Sequence, residues 1–249
     1  MSMSAAQRRE LLEPWLADSR RLTTAEARDR ARRRYREKRG LSVAEHEAIM
    51  VRRGPTDIVR RTGGAVLQQR KTQRADDPGG DGLNLTGYAT TFDQPYDVDS
   101  YFEGTFTETI ARGAFADSLR RSTPVMLFDH GLDVRTGSVP IAAVKSVTED
   151  RTGVKVSARL FDNEAVRPVR QAIAGGAIRG MSIMMRVLDD EWTRGANGDP
   201  DLRTIRKAEL FEAGPVVWPA NPGTSVGVRS KRTKGLTPAQ RRANFIKAF

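Results

Sequence analysis

The sequence predicts an α+β domain, barrel-like and made mostly of short strands, with flanking helices and basic helical or disordered extensions at both ends. Three observations carry this. Between residues 83 and 218, about seven short alternating or apolar runs are separated by turn residues, with two helical stretches among them. Residues 62–82 are rich in Gly and Asp, as linkers are, which sets a domain boundary near residue 80. The charge is also segregated. Residues 1–75 hold 19 Lys and Arg against 9 Asp and Glu, residues 76–228 hold 16 against 22, and residues 229–249 hold 7 basic and no acidic side chains. The net charge of +11 therefore comes from two basic tails around an acidic middle. The expected organisation is a basic arm and linker over 1–80, a domain over 81–228 and a basic tail over 229–249.

Taken in order, Ala5–Leu16 carries Leu11, Leu12, Trp15 and Leu16 at helical spacing, interrupted by Pro14. Thr23-Thr24-Ala25-Glu26 has the form of a capping box and opens an Arg-, Ala- and Glu-rich helix to Arg39. Leu41-Ser42-Val43-Ala44-Glu45 repeats the start signal ahead of a short helix containing His46. Leu83–Phe92 alternates as a first strand, a polar turn with Pro95 follows, and Phe102–Ile110 reads as the next strand. Ala111–Leu119 forms a short helix that packs Phe115 and Leu119. Pro124–Phe128 is a short apolar strand ending at Asp129-His130-Gly131.

Ser138–Val147 and Val154–Phe161 are two further strands joined by turn residues 149–153. Asn163–Ala174 is helical, with Asn163 as its cap, Pro168 in an early turn and Gly175-Gly176 as its stop. Ser182–Leu188 and Leu202–Phe211 form a hairpin about Asn197-Gly198. Val216-Val217-Trp218 reads as a last buried strand, and Thr237 opens a final helix in the basic tail.

Composition excludes several chemistries. There is no cysteine, so disulfides, thiolate metal sites and a Cys nucleophile are out. Two histidines without cysteine do not make a typical zinc site, and no Gly-rich phosphate loop with a Lys is present, so no metal and no cofactor is expected. No run of 18 apolar residues occurs and the N-terminus lacks an apolar signal core, which predicts a soluble intracellular protein with no membrane partner.

The chemistry on offer is nucleophilic. A serine hydroxyl needs a base to take its proton, and the base works better when a third group fixes its tautomer. Folding the hairpin about Asn197-Gly198 brings Ser182 opposite position 213, within a residue or two, so Glu212 lies beside it. His130 supplies the base. Each also has an ordinary structural use: Ser182 as a small residue near Gly180, His130 as a turn residue bonded to Asp129, Glu212 and Glu209 as outward strand residues. Spacing alone leaves both uses open.

An ordered series of short motifs resembles the prohead (capsid maturation) proteases of tailed phages, a family similar in fold to the herpesvirus assemblins. The series runs through Gly87-Tyr88-Ala89-Thr90-Thr91-Phe92, Phe102-Glu103-Gly104, Gly113-Ala114-Phe115 and Val125–His130. It continues with Gly153-Val154-Lys155-Val156, Gly180-Met181-Ser182-Ile183, Leu210-Phe211-Glu212 and Pro219-Ala220-Asn221-Pro222, and covers roughly residues 83–228. The resemblance implies a serine endopeptidase with a herpesvirus-protease-type domain. It places the family's histidine on His130, its serine on Ser182 and its acidic member on Glu212, with Glu209 in reserve. Two departures stand out: Met184-Met185 follow the serine where the family usually has a glycine and an aromatic residue, and Ala213-Gly214-Pro215 follow Glu212.

The implied substrates are the scaffold and the major capsid protein, and the enzyme itself, inside the assembling procapsid in the host cytoplasm. Arg179 and Gly180 are oxyanion-hole candidates by proximity, and a homodimer is expected by analogy. Two other readings come from different classes. One is a non-catalytic capsid-assembly or scaffolding protein that retains the fold. The other is nucleic-acid binding through the Arg-rich arm, which has almost no aromatic residues for base stacking.

Overall fold

The structure, a computed structural model, describes residues 21–47, 58–60, 81–100, 103–196, 198–221 and 223–230. The expected helix at 5–16, the linker over 62–80, Asn197 and the tail helix from Thr237 lie outside them. The described residues form an α+β structure of two open sheets, and no closed barrel is found among them. The barrel-like expectation is corrected on this point, because the two sheets pack face to face without joining at their edges.

The first sheet runs β1 (Arg21–Leu22), β8 (Gly180–Thr193), β9 (Leu202–Val216), β5 (Gly104–Ile110), β4 (Tyr96–Ser100), with β2 (Ile58–Arg60) also paired to β8. The second runs β10 (Ser225–Ser230), β3 (Asp81–Thr91), β7 (Gly153–Leu160), β6 (Ala142–Glu149). All pairings are antiparallel except β5 with β9. Between the sheets lies the main core, where Leu85 and Ala89 of β3 and Val154, Val156 and Ala158 of β7 meet Met181, Ile183 and Met185 of β8 and Leu210 of β9. Alternate residues of each strand face this layer, as a pleated strand requires.

Helix α1 (Thr24–Arg39) covers the other face of the first sheet. Its capping box is formed as the sequence predicts: the Glu26 N–H donates to Thr23 Oγ1 and the Thr23 N–H donates to Glu26 Oε2. Ser42 and Glu45 repeat the motif ahead of the helical residues 43–47. Ala27 and Ala31 pack with Val98, Phe106 and Trp192 in a second cluster. Gly104, at φ 99°, lets the helix in: a β-carbon there would lie 2.2 Å from the Ala31 carbonyl carbon. Charge holds the contact as well, through Arg30 on Asp201 at 2.7 Å and Lys38 and Arg39 on Asp99 at 3.0 Å each.

Several elements differ from the sequence reading. Tyr96–Ser100, taken as turn, is strand β4, with Tyr96 and Val98 buried. The helix expected over Ala111–Leu119 is α2 (Ala116–Arg121), shorter and starting later, with buried Phe115 as its N-cap. Asn163 caps a preceding turn by accepting from the Val166 N–H, and α3 spans Arg167–Ala174. Pro124–Phe128 is not a strand but a single parallel bridge, Val125 to Glu212. Val216-Val217-Trp218 is not a buried strand: Val216 ends β9, while Val217 and Trp218 are 41% and 56% exposed. The last strand is β10.

Candidate active site

Ser182 stands on β8, whose odd positions Met181, Ile183 and Met185 face the core. The even positions face the opposite side, so Ser182 and Met184 share that side with Gly214 and Glu212, their partners on β9. Ser182 is thus diagonal to Glu212 on one face, a spacing of about 7–8 Å between α-carbons. The sequence reading set Ser182 opposite residue 213; the observed partner is Gly214. Met185 points into the core, so of the two methionines after the serine only Met184 lies on its face.

His130 reaches this face by a different route. The Val125 N–H donates to the Phe211 carbonyl and the Ala213 N–H donates to the Val125 carbonyl, each at 3.0 Å, which fixes the segment along β9. Leu127 then crosses above Gly214, its carbonyl oxygen 1.9 Å from where a β-carbon of residue 214 would be. Asp129, His130 and Gly131 follow with φ of 48°, 56° and 77°, three consecutive left-handed residues. Such a run costs about 1–2 kcal/mol for each non-glycine residue, and sites of function are where such strain collects. Two turn bonds close it, Gly131 N–H to the Phe128 carbonyl and Leu132 N–H to the Asp129 carbonyl. Asp133 Oδ1 steadies the exit by accepting from the Arg135 and Thr136 N–H groups, which holds its carboxyl below the usual range.

The turn delivers the His130 Nδ1 to Glu212 Oε2 at 2.6 Å, with both side chains wholly buried. The other ring nitrogen, Nε2, is buried and has no hydrogen-bond partner among the described residues. A carboxylate on Nδ1 selects the tautomer that leaves Nε2 as an acceptor, the arrangement a general base requires. Glu209 is placed differently. It sits 29% exposed between Arg121 and Arg186, which donate to its two oxygens at 3.4 and 3.2 Å. The structure therefore brings His130 together with Glu212 and leaves Glu209 in a surface ion cluster.

Comparison with known proteins is decisive here. The model of the Caudovirus prohead serine protease family matches residues 69–237, more than half of the chain. The chain belongs to that family. Neither a curated protein nor a solved structure gives a significant match. Family membership makes this prohead protease a serine protease of capsid maturation, with capsid and scaffold proteins as the substrate class. No helix among the described residues is long and apolar enough to cross a membrane.

Sequence reasoning missed the parts of this prohead protease that support the serine. The Met181 N–H, one residue before Ser182, donates to Thr224 Oγ1, and Thr224 Oγ1 donates to the Asn221 carbonyl. Asn221 is buried and joined through its amide to Thr90 and Thr91 of β3. Asn221 stands in the Pro219-Ala220-Asn221-Pro222 motif, but its burial, which obliges its amide to be satisfied, is not readable from sequence. Of the oxyanion candidates, Arg179 is exposed and Gly180 is buried against Pro219 and Thr224.

Proposed function

We propose that this chain is the prohead maturation endopeptidase that cuts scaffold and capsid protein, and itself, with Ser182 as nucleophile, His130 as general base and Glu212 as the group that orients the imidazole. The observation that carries the reading is the buried Nδ1–carboxylate pair with Nε2 left over. Nε2 takes the proton of Ser182 Oγ as the oxygen attacks the peptide carbonyl carbon, and the same proton passes to the leaving amine. Water, deprotonated in its turn by Nε2, attacks the acyl carbon, and that proton passes to Ser182 Oγ as the bond to the serine breaks and the acid product leaves. Glu212 supports the imidazolium in both steps. The reading extends to a herpesvirus-protease-type domain over residues 81–228, acting within the procapsid in the host cytoplasm.

The test is intact mass over time for the wild type and Ser182→Ala, alone and with procapsid proteins. Wild type producing discrete fragments while Ser182→Ala yields none supports the assignment. A Ser182→Ala variant that cuts as fast as wild type overturns it. Wild type inert among its capsid and scaffold proteins would instead favour an assembly protein that keeps the fold.

A further inference from the structure

The strand that carries Ser182 has two edges. One is paired with β9 over its whole length, and the other is partly paired with the chain's own N-terminal segment. On that second edge, β2 runs antiparallel to β8, with Ile58 opposite Arg186, Val59 opposite Met185 and Arg60 opposite Met184. Met184 faces Glu212 on its other side. A single rung therefore crosses Arg60, Met184 and Glu212, one step along the same face from Ser182. Because the pairing is antiparallel, β2 itself runs toward the Ser182 end of β8.

We propose that this edge of β8 is where an extended peptide substrate adds as a strand, and that Ile58–Arg60 holds it as a tethered competitor with the polarity of a substrate. The proposal rests on Ser182 as the nucleophile. Strand addition gives affinity through main-chain hydrogen bonds and leaves side chains to supply selectivity, which suits an enzyme that must accept segments of several proteins. The polarity assigns sides. Residues N-terminal to the bond under attack lie against Met184–Arg186, and the bond itself lies toward Ser182. The competitor is short, three residues against the fourteen of β8. Its tether compensates, since a covalently linked strand acts at an effective concentration of order millimolar. At the far end of the same edge β1 pairs with Trp192 and Thr193, and Arg21 reaches Glu191 at 2.9 Å, so the arm has an anchor that is independent of β2.

The experiment uses the full chain with Ser182→Ala, to stop turnover, and a synthetic peptide of this chain's residues 52–66 as probe. Hydrogen exchange should show the Ile58–Arg60 amides of the protein losing protection as the peptide saturates, while β8 stays protected. Ile58→Pro with Val59→Pro removes two adjacent N–H groups, one of which must point at β8 in an alternating ladder. That variant should bind the peptide about tenfold more tightly, as expected when a mostly occupied site is vacated. Leu22→Pro in β1 should leave the affinity unchanged. Retained protection at Ile58–Arg60 under saturating peptide, an unchanged Kd in the double-proline variant, an equal gain in Leu22→Pro, or no binding to any variant overturns the proposal. Displacement by peptide beside a wild type that cuts nothing would sustain the docking edge and overturn the serine assignment instead.

Discussion

Leu127 and Gly214 are in such close contact that no other residue fits at 214: a β-carbon there would stand 1.9 Å from the Leu127 carbonyl oxygen and 2.4 Å from Glu212 Oε1. Gly214→Ala must push back the segment that carries His130, or the carboxylate, or both. A displacement of about 1 Å in a catalytic group costs on the order of 10²-fold in rate. We expect a loss of that size in kcat on a capsid-derived peptide, with a fall in stability of about 1–3 kcal/mol by urea unfolding. Full activity in a folded Gly214→Ala variant would mean that the close approach does not position His130.

Glu212→Gln keeps the shape of the side chain and removes the charge that selects the His130 tautomer. Activity should fall by about 10³–10⁴-fold. Glu209→Gln, held at the surface between Arg121 and Arg186, should change kcat/KM less than about twofold. The two variants assayed side by side decide which carboxylate serves the histidine.

Arg203 is buried at the opposite end of the hairpin, with Asp190 at 2.7 Å, Glu103 at 2.9 Å and the wholly buried Glu108 at 3.4 Å. Arg203→Ala leaves these carboxylates without their common cation and should cost about 3–5 kcal/mol. The urea midpoint measures that loss, and kcat per folded molecule should hardly move.

Asp99 supplies a pH dependence. Burial works against its charge, but Arg39, Lys38 and Thr105 donate to it and bring its pKa down to about 2 from 3.8. A value lower in the folded than in the unfolded chain stabilises fully above about pH 4, and the contribution is lost as pH falls toward 2. Exchange protection of α1 should weaken over that window, and Asp99→Asn should abolish the pH-dependent step. A step of unchanged size in Asp99→Asn would assign it to another carboxylate.

Two kinds of local signal in the sequence were reliable, the capping boxes and the hairpin turn. Both capping boxes form where Thr23–Glu26 and Ser42–Glu45 predict them, and folding about Asn197-Gly198 misses the Ser182 partner by one residue. The miss is that small because the register shifts along β8 and β9 nearly cancel: residues 182 and 214, then 185 and 210, then 193 and 202 stay almost symmetric about the loop. What sequence could not give was long-range. The Val125 bridge that carries His130 to Glu212 is a single pairing with no pattern of its own, and the register shift at Met184/Met185 is what leaves Glu212 on the serine's face and Glu209 further along. Strand β4 was readable, since Tyr96 and Val98 alternate with Asp97 and Asp99, but the acidic residues masked it. Val217 and Trp218 misled in the opposite direction, being apolar and exposed.

The left-handed turn at Asp129–Gly131 and the ion cluster around Arg203 lie at opposite ends of one β-hairpin. Ten residues separate Ser182 from Trp192 along β8, about 30 Å at strand rise. Effects of changes that far apart, with no shared partner, add to within about 0.3–0.5 kcal/mol. Substitutions that tune durability at one end and turnover at the other are therefore energetically uncoupled, and variation in this chain is free to alter either property without reopening the other.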